Sequence, residues 1–182
     1  MQNHLSRVWF LNQGCKQVPL EYTRGIVRWA HPDGYFLNAR GQKVKDRFSP
    51  SRLRRASDPK CKSGKGYPIL GSLSWSPICH IFMALAFYGD SLTYIDPKTG
   101  KEYVGICHHL IPDPLDYKPA NLLCWLTRAE HAEADRRQRA LRQLLPDMHA
   151  LPYDEHRRLQ DPRTMPREQF EVELQKLRDH AD

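Results

Sequence analysis

Apolar and polar positions alternate with two different periods along this chain, and the change of period marks its organisation. Near the N-terminus, Gly25 to Trp29, Gly34 to Leu37 and Tyr67 to Leu73 are short apolar-rich runs separated by Gly, Pro and Asp turns, which predicts strands. Ser76-Pro77 then opens a helix, with serine as N-cap and proline in the first helical position. Ile78, Ile81, Phe82 and Leu85 recur at helical spacing, and Gly89 ends the run. That helix is apolar almost all round, so its predicted role is core, with His80 packed inside it.

The second half reads differently. Tyr94 to Tyr103 predicts a hairpin leading into a strand over Tyr103–Cys107. Residues 112–120 hold three prolines and two aspartates and read as a loop. Leu122 to Leu126 is a second short apolar run. Thr127 followed three residues later by Glu130 is a capping box, so a helix starts there and runs to about Leu145, where Pro146 stops it. Arg136, Arg137, Arg139 and Arg142 suit the helix dipole, and some could reach a DNA backbone. Residues 146–165, rich in Pro, Asp and Arg, read as a linker. Residues 166–180, with Phe170, Val172, Leu174 and Leu177, predict a final helix.

At 182 residues the chain has room for one domain or two small ones. Its net charge of +7 is unevenly placed. Residues 40–65 carry ten basic side chains and two acidic ones, +8 in all, which leaves the remainder close to neutral. A cluster of that kind suits a polyanion, because each phosphate contact releases counterions. Arg47, Arg52, Arg54, Arg55, Lys60, Lys62 and Lys65 are the expected polyanion contacts. The five cysteines never form a Cys-x-x-Cys pair, which argues against a structural zinc knuckle, and their odd number argues against a disulfide framework. Cys79, Cys107 and Cys124 lie in apolar contexts and read as small core residues. With no long apolar span, a soluble cytoplasmic protein is expected.

The densest chemistry lies where the first of the two later apolar runs ends. His108-His109 is followed by Asn121-Leu122-Leu123 and then by Glu130-His131. Histidine is the commonest transition-metal ligand and titrates near neutral pH. Two adjacent histidines and a third in the first turn of a helix can divide metal binding and proton removal among them. Adjacent strand residues point to opposite faces, so the pair converges only where the strand ends or bends.

This order of residues resembles the HNH endonuclease family, built on a ββα-metal unit, over about residues 92–145. The region from Asp33 to the helix at 78–87 more loosely resembles the β-rich part that precedes this unit in phage and mobile-element nucleases. The resemblance implies that His108 binds the metal, His109 is the general base, Asn121 braces the loop through backbone hydrogen bonds, and His131 is the other metal ligand. It also makes DNA the polyanion expected at the basic residues of 40–65. The gap from Asn121 to His131 is one residue longer than the common family spacing. Asp135, one turn further on the same face, is the alternative helical ligand.

The expected fold is α+β: a small β-rich N-terminal region (1–90) contacting DNA, an HNH ββα-metal unit (91–145), and a linker and C-terminal helix (146–182). The expected activity is metal-dependent hydrolysis of phosphodiester bonds in double-stranded DNA by a phage or bacterial enzyme of homing type. Its cofactor would be a divalent ion, Mg2+ first, with Mn2+ or Zn2+ as alternatives, and a homodimer is open. A scaffold can outlive its activity, so the alternative is a non-enzymatic DNA-binding protein with a degenerate HNH scaffold.

Overall fold

The computed structural model describes residues 5–48, 68–70, 78–97 and 99–179, with the side chains of 47 and 48 outside that description. It is a mixed α+β protein with small antiparallel sheets and C-terminal helices. The chain divides into two compact units, one of residues 1–90 and 113–119, the other of 91–112 and 120–182.

In the first unit, helix α1 (Arg7–Asn12) precedes a four-stranded antiparallel sheet of β1 (Lys16–Gln17), β2 (Arg28–His31), β3 (Tyr35–Asn38) and β4 (Lys43–Val44). Phe10 of α1 stacks on Trp29 at 4.5 Å between ring centroids, and Cys15 and Leu37 complete that core. The central strands lie slightly later than the apolar runs predict, because Gly25 (φ 78°) and Gly34 (φ 82°) sit in turns and not in strands. Strand β5 (Asp46–Phe48) pairs with β6 (Pro68–Leu70). The predicted strand over Tyr67–Leu73 is described only at 68–70. Helix α2 (Cys79–Tyr88) starts after Ile78 as N-cap, and its buried face includes His80. The predicted cap, Ser76 with Pro77, lies outside the described residues. The loop residue Tyr117 also belongs here: its hydroxyl donates to Asp46 Oδ2 at 2.7 Å, and burial together with Asp46 holds its phenol protonated well above the ordinary range.

In the second unit, the hairpin is β7 (Thr93–Ile95) against β8 (Glu102–Val104), with Tyr94 opposite Tyr103. The single strand expected over Tyr103–Cys107 is two strands, broken at Gly105: β8 ends at Val104 and β9 (Ile106–His109) begins beyond it. Strand β9 pairs antiparallel with β10 (Leu122–Leu126), and the register slips between Leu123 and Leu126. The slip coincides with Trp125, which takes φ 60°, a conformation rare for a bulky residue. Gly105 is the counterpart of that bulge. A Cβ there would stand 2.8 Å from Trp125 Cα and 3.0 Å from its carbonyl carbon.

Helix α3 (Arg128–Leu144) follows β10 directly. Its predicted capping box is present: Glu130 N–H donates to Thr127 Oγ1 at 3.2 Å, and Thr127 N–H donates to Glu130 Oε2 at 2.7 Å. Beneath the helix, Leu110, Leu123, Leu126 and Ala134 form one small core. The segment expected to be a linker is not one. Residues 146–165 hold a 3-10 turn (Met148–Ala150) and helix α4 (Tyr153–Gln160). Met148, Leu159 and Met165 are buried with Ile111, Leu141, Phe170 and Leu174 in a second core. Helix α5 (Arg167–Asp179) packs Phe170 and Leu174 into it and leaves Val172 exposed.

Arg137 joins these helices. Its guanidinium, on a side chain 1 % exposed, donates to the carbonyls of Leu159 (3.3 Å), Asp161 (3.5 Å) and Met165 (2.9 Å) and to Glu133 (3.0 Å). The expectation that the α3 arginines serve the dipole or DNA therefore fails for Arg137, whose donors are spent inside the fold. Arg136 is likewise paired, with Glu133 and with Glu171 of α5. Cys79, Cys107 and Cys124 are buried free thiols, as expected of core residues. Among the described residues no helix is long and apolar enough to cross a membrane.

Two outcomes follow. Gly105→Ala forces the new methyl against backbone, so it should destabilise by about 1–3 kcal/mol, read as a lower urea midpoint with an unchanged slope; full retention of stability would mean that the β8–β9 break is not sterically set. Hydrogen bonds from Arg136, opposed by burial and aided by Arg137, hold the Glu133 carboxyl at about 2 against an ordinary 4.5. A carboxyl depressed on folding contributes stability that is whole above its unfolded pKa and is lost as pH falls through the folded one. Wild type should therefore lose stability relative to Glu133→Gln between pH 4.5 and 2. Urea unfolding curves that stay parallel for the two proteins across that window would show that the pairing contributes nothing.

Candidate metal centre

Strand β9 and helix α3 supply the site. Register places His108 opposite Leu123 and His109 opposite Leu122, so the two histidines face opposite sides of the β9–β10 pair. His108 points under α3 and is 4 % exposed. Its ring meets that of His131 edge to face at 5.4 Å. His131 lies in the first turn of α3, its N–H bonded to Thr127 O at 2.9 Å, so the capping box fixes where this side chain starts. Asp135 lies four residues on, along the same face.

Asp135 divides its two oxygens between the histidines. Oδ1 is 3.3 Å from His108 Nδ1 and Oδ2 is 3.7 Å from His131 Nδ1. The hydrogen bond from His108 is the main cause holding this carboxyl below its ordinary range, against the opposing effect of burial, with His131, His108 and Arg139 adding attraction. Together His108, His131 and Asp135 can hold a metal ion, with one ligand atom from each within 4.8 Å of the others. Asp135, expected only as a substitute for His131, stands beside it as a third member. The spacing of 131, 135 and 138 along one helical face was the available signal.

Asn121 is fully buried in the turn before β10. Its Oδ1 accepts from Ile111 N–H at 2.7 Å, its Nδ2 donates to Ile111 O at 3.2 Å, and its carbonyl accepts from Leu110 N–H at 2.9 Å. Both ends of the intervening loop are thereby closed onto the end of β9. His109 is half-buried, with Nε2 shut off from solvent, and is not one of the three clustered groups.

Two glutamines that sequence reasoning missed lie behind His108. Gln138 of α3 donates through Nε2 to His109 O and to Leu110 O (2.9 Å), and Gln160 of α4 reaches His108 Nε2 through Oε1 at 3.2 Å. Gln138 was findable as the next inward position after Asp135. Gln160 carried no signal, since its segment reads as a linker. Of the expected DNA contacts, Arg47 falls in β5 with its side chain outside the description, and Arg52, Arg54, Arg55, Lys60, Lys62 and Lys65 lie outside the described residues.

The chain matches no protein-family model, no curated protein and no solved structure.

Calorimetric titration with Zn2+ checks the assignment. Loss of a ligand's supporting partner typically costs about 10–100-fold in affinity, so His108→Ala, His131→Ala and Asp135→Asn should each cost at least that. His109→Ala should leave affinity unchanged. Equal weakening in all four variants would place His109 among the ligands and break the division of roles.

Proposed function

We propose that this protein is a metal-dependent endonuclease that hydrolyses phosphodiester bonds of double-stranded DNA, with its centre at His108, His131 and Asp135. The observation that carries this reading is the convergence of those three side chains at the end of β9, where Asn121 binds the following loop to the strand. Three protein ligands leave coordination positions open, as a catalytic site needs and a closed structural site does not. Two imidazoles and one carboxylate suit Zn2+ or Mn2+ better than Mg2+, which favours all-oxygen surroundings. A divalent ion held there supplies positive charge to a phosphate and its leaving oxygen.

The chain's own residues supply the rest. The HNH resemblance gives the role of general base to His109, the strand residue that follows His108. Asn121 keeps the backbone of Leu110 and Ile111, just after His109, in place from the opposite side of the loop. The basic segment 40–65 gives a polyanion its attraction, independent of sequence.

The test is cleavage of supercoiled plasmid with Zn2+, Mn2+, Mg2+ and EDTA. Nicking or linearisation should require a divalent ion and stop with EDTA, and His109→Ala should lose about 10²–10⁴-fold in rate while keeping metal affinity. Metal-independent cutting, or none with any metal across several duplexes, would reject the enzyme reading in favour of a DNA-binding protein.

A further inference from the structure

We infer that Gln160, a residue of α4, is a positioning residue that fixes which ring nitrogen of His108 faces the metal centre. The inference rests on the metal-centre reading, and it follows from two backbone carbonyls, groups that can only accept hydrogen bonds.

The first is Leu110 O. It lies 3.0 Å from one terminal atom of the Gln160 side chain, which must therefore be the amide nitrogen. An oxygen there would face another acceptor. The second is Met148 O, 2.6 Å from Nε2 of the fully buried His156. That nitrogen must carry hydrogen. His156 Nδ1 then accepts the other amide hydrogen of Gln160, at 3.0 Å. Both Gln160 N–H groups are thereby spent, and Oε1 is turned to His108 Nε2 at 3.2 Å. An amide oxygen only accepts, so His108 Nε2 carries hydrogen and donates it. Gln138 Nε2 also lies 3.2 Å from His108 Nε2, but its two hydrogens go to His109 O and Leu110 O. It offers His108 none.

The consequence falls on the other side of the ring. Which nitrogen of a histidine binds a metal is set by the hydrogen bond that the other makes. With Nε2–H held by Gln160, Nδ1 is the atom presented to Asp135 Oδ1 and to the ring of His131. Nδ1 can carry hydrogen towards Asp135 or give its lone pair to a cation in that place. In both states Nε2–H stays with Gln160, so a metal can enter without turning the ring.

Nitrogen-15 spectra of the imidazoles of the full-length protein, recorded without metal and with Zn2+, test this directly. His108 is assigned by loss of its signals in His108→Ala. The expected result is a protonated Nε2 in both states, with the change on adding Zn2+ confined to Nδ1. A His108 Nε2 without hydrogen in either state overturns the inference. Gln160→Leu should erode the Nε2–H signal and weaken Zn2+ binding by about 10–100-fold. Backbone amide spectra report that the variant is folded, and the wild-type spectra carry the test by themselves. If wild type shows Nε2–H but binds no Zn2+, the metal-centre reading fails while the placement of the ring by Gln160 stands.

Discussion

A buried cation organises the second unit. Removing a guanidinium from water costs several kcal/mol unless its donors are satisfied, and Arg137 can satisfy them only if three carbonyls from residues 159, 161 and 165 arrive together. That requirement couples the end of α4, the turn after it and the start of α5 to a single side chain of α3. The ring of Phe170 lies under the guanidinium at 5.1 Å and adds a second contact from α5. Removing one partner of such a group is far more damaging than never burying it, of order 3–5 kcal/mol. Arg137 stands next to Gln138 on α3, and Leu159 next to Gln160 on α4. The contact that holds the helices together thus also delivers the two amides to His108.

The strand pair imposes the complementary constraint. Alternation along β9 sends His108 under α3, beside His131 and Asp135, and His109 to the other face. The pair cannot simply continue. At Trp125 the backbone turns through a left-handed conformation, and only a residue without a Cβ fits against it at Gly105. Strain of this kind persists where the surroundings over-determine it. Here Asn121 on one side and the capping box of α3 on the other hold both ends of β10.

Much of this unit is legible in the sequence because its signals are local. Thr127 and Glu130 define a helix start by themselves, and the helix start in turn places His131. The antiparallel partner of β9 is an apolar run with clear bounds. What stayed hidden depends on residues that serve the fold while looking like surface. Segment 146–165 has the composition of a linker, yet Met148, Leu159 and Met165 are core residues, and His156 occupies an inward position where an apolar residue would have shown the period. In the same way an arginine on an amphipathic helix gives no sign that it is buried. The β8–β9 break was missed because Gly105 reads as an ordinary strand residue until the bulge opposite it is known.

The positive charge of the chain is used unevenly by the fold. Arg136, Arg158 and Arg163 are each paired with a carboxylate within the second unit, at 2.6–2.9 Å, and Arg137 is inside it. These four arginines are therefore already neutralised by the fold, while Arg139 and Arg142 are exposed on α3. The segment 40–65 alone accounts for the whole positive excess of the chain. The basic composition and the cluster of His108, His131 and Asp135 thus lie in different stretches of sequence, the second fixed by packing against α3 and α4.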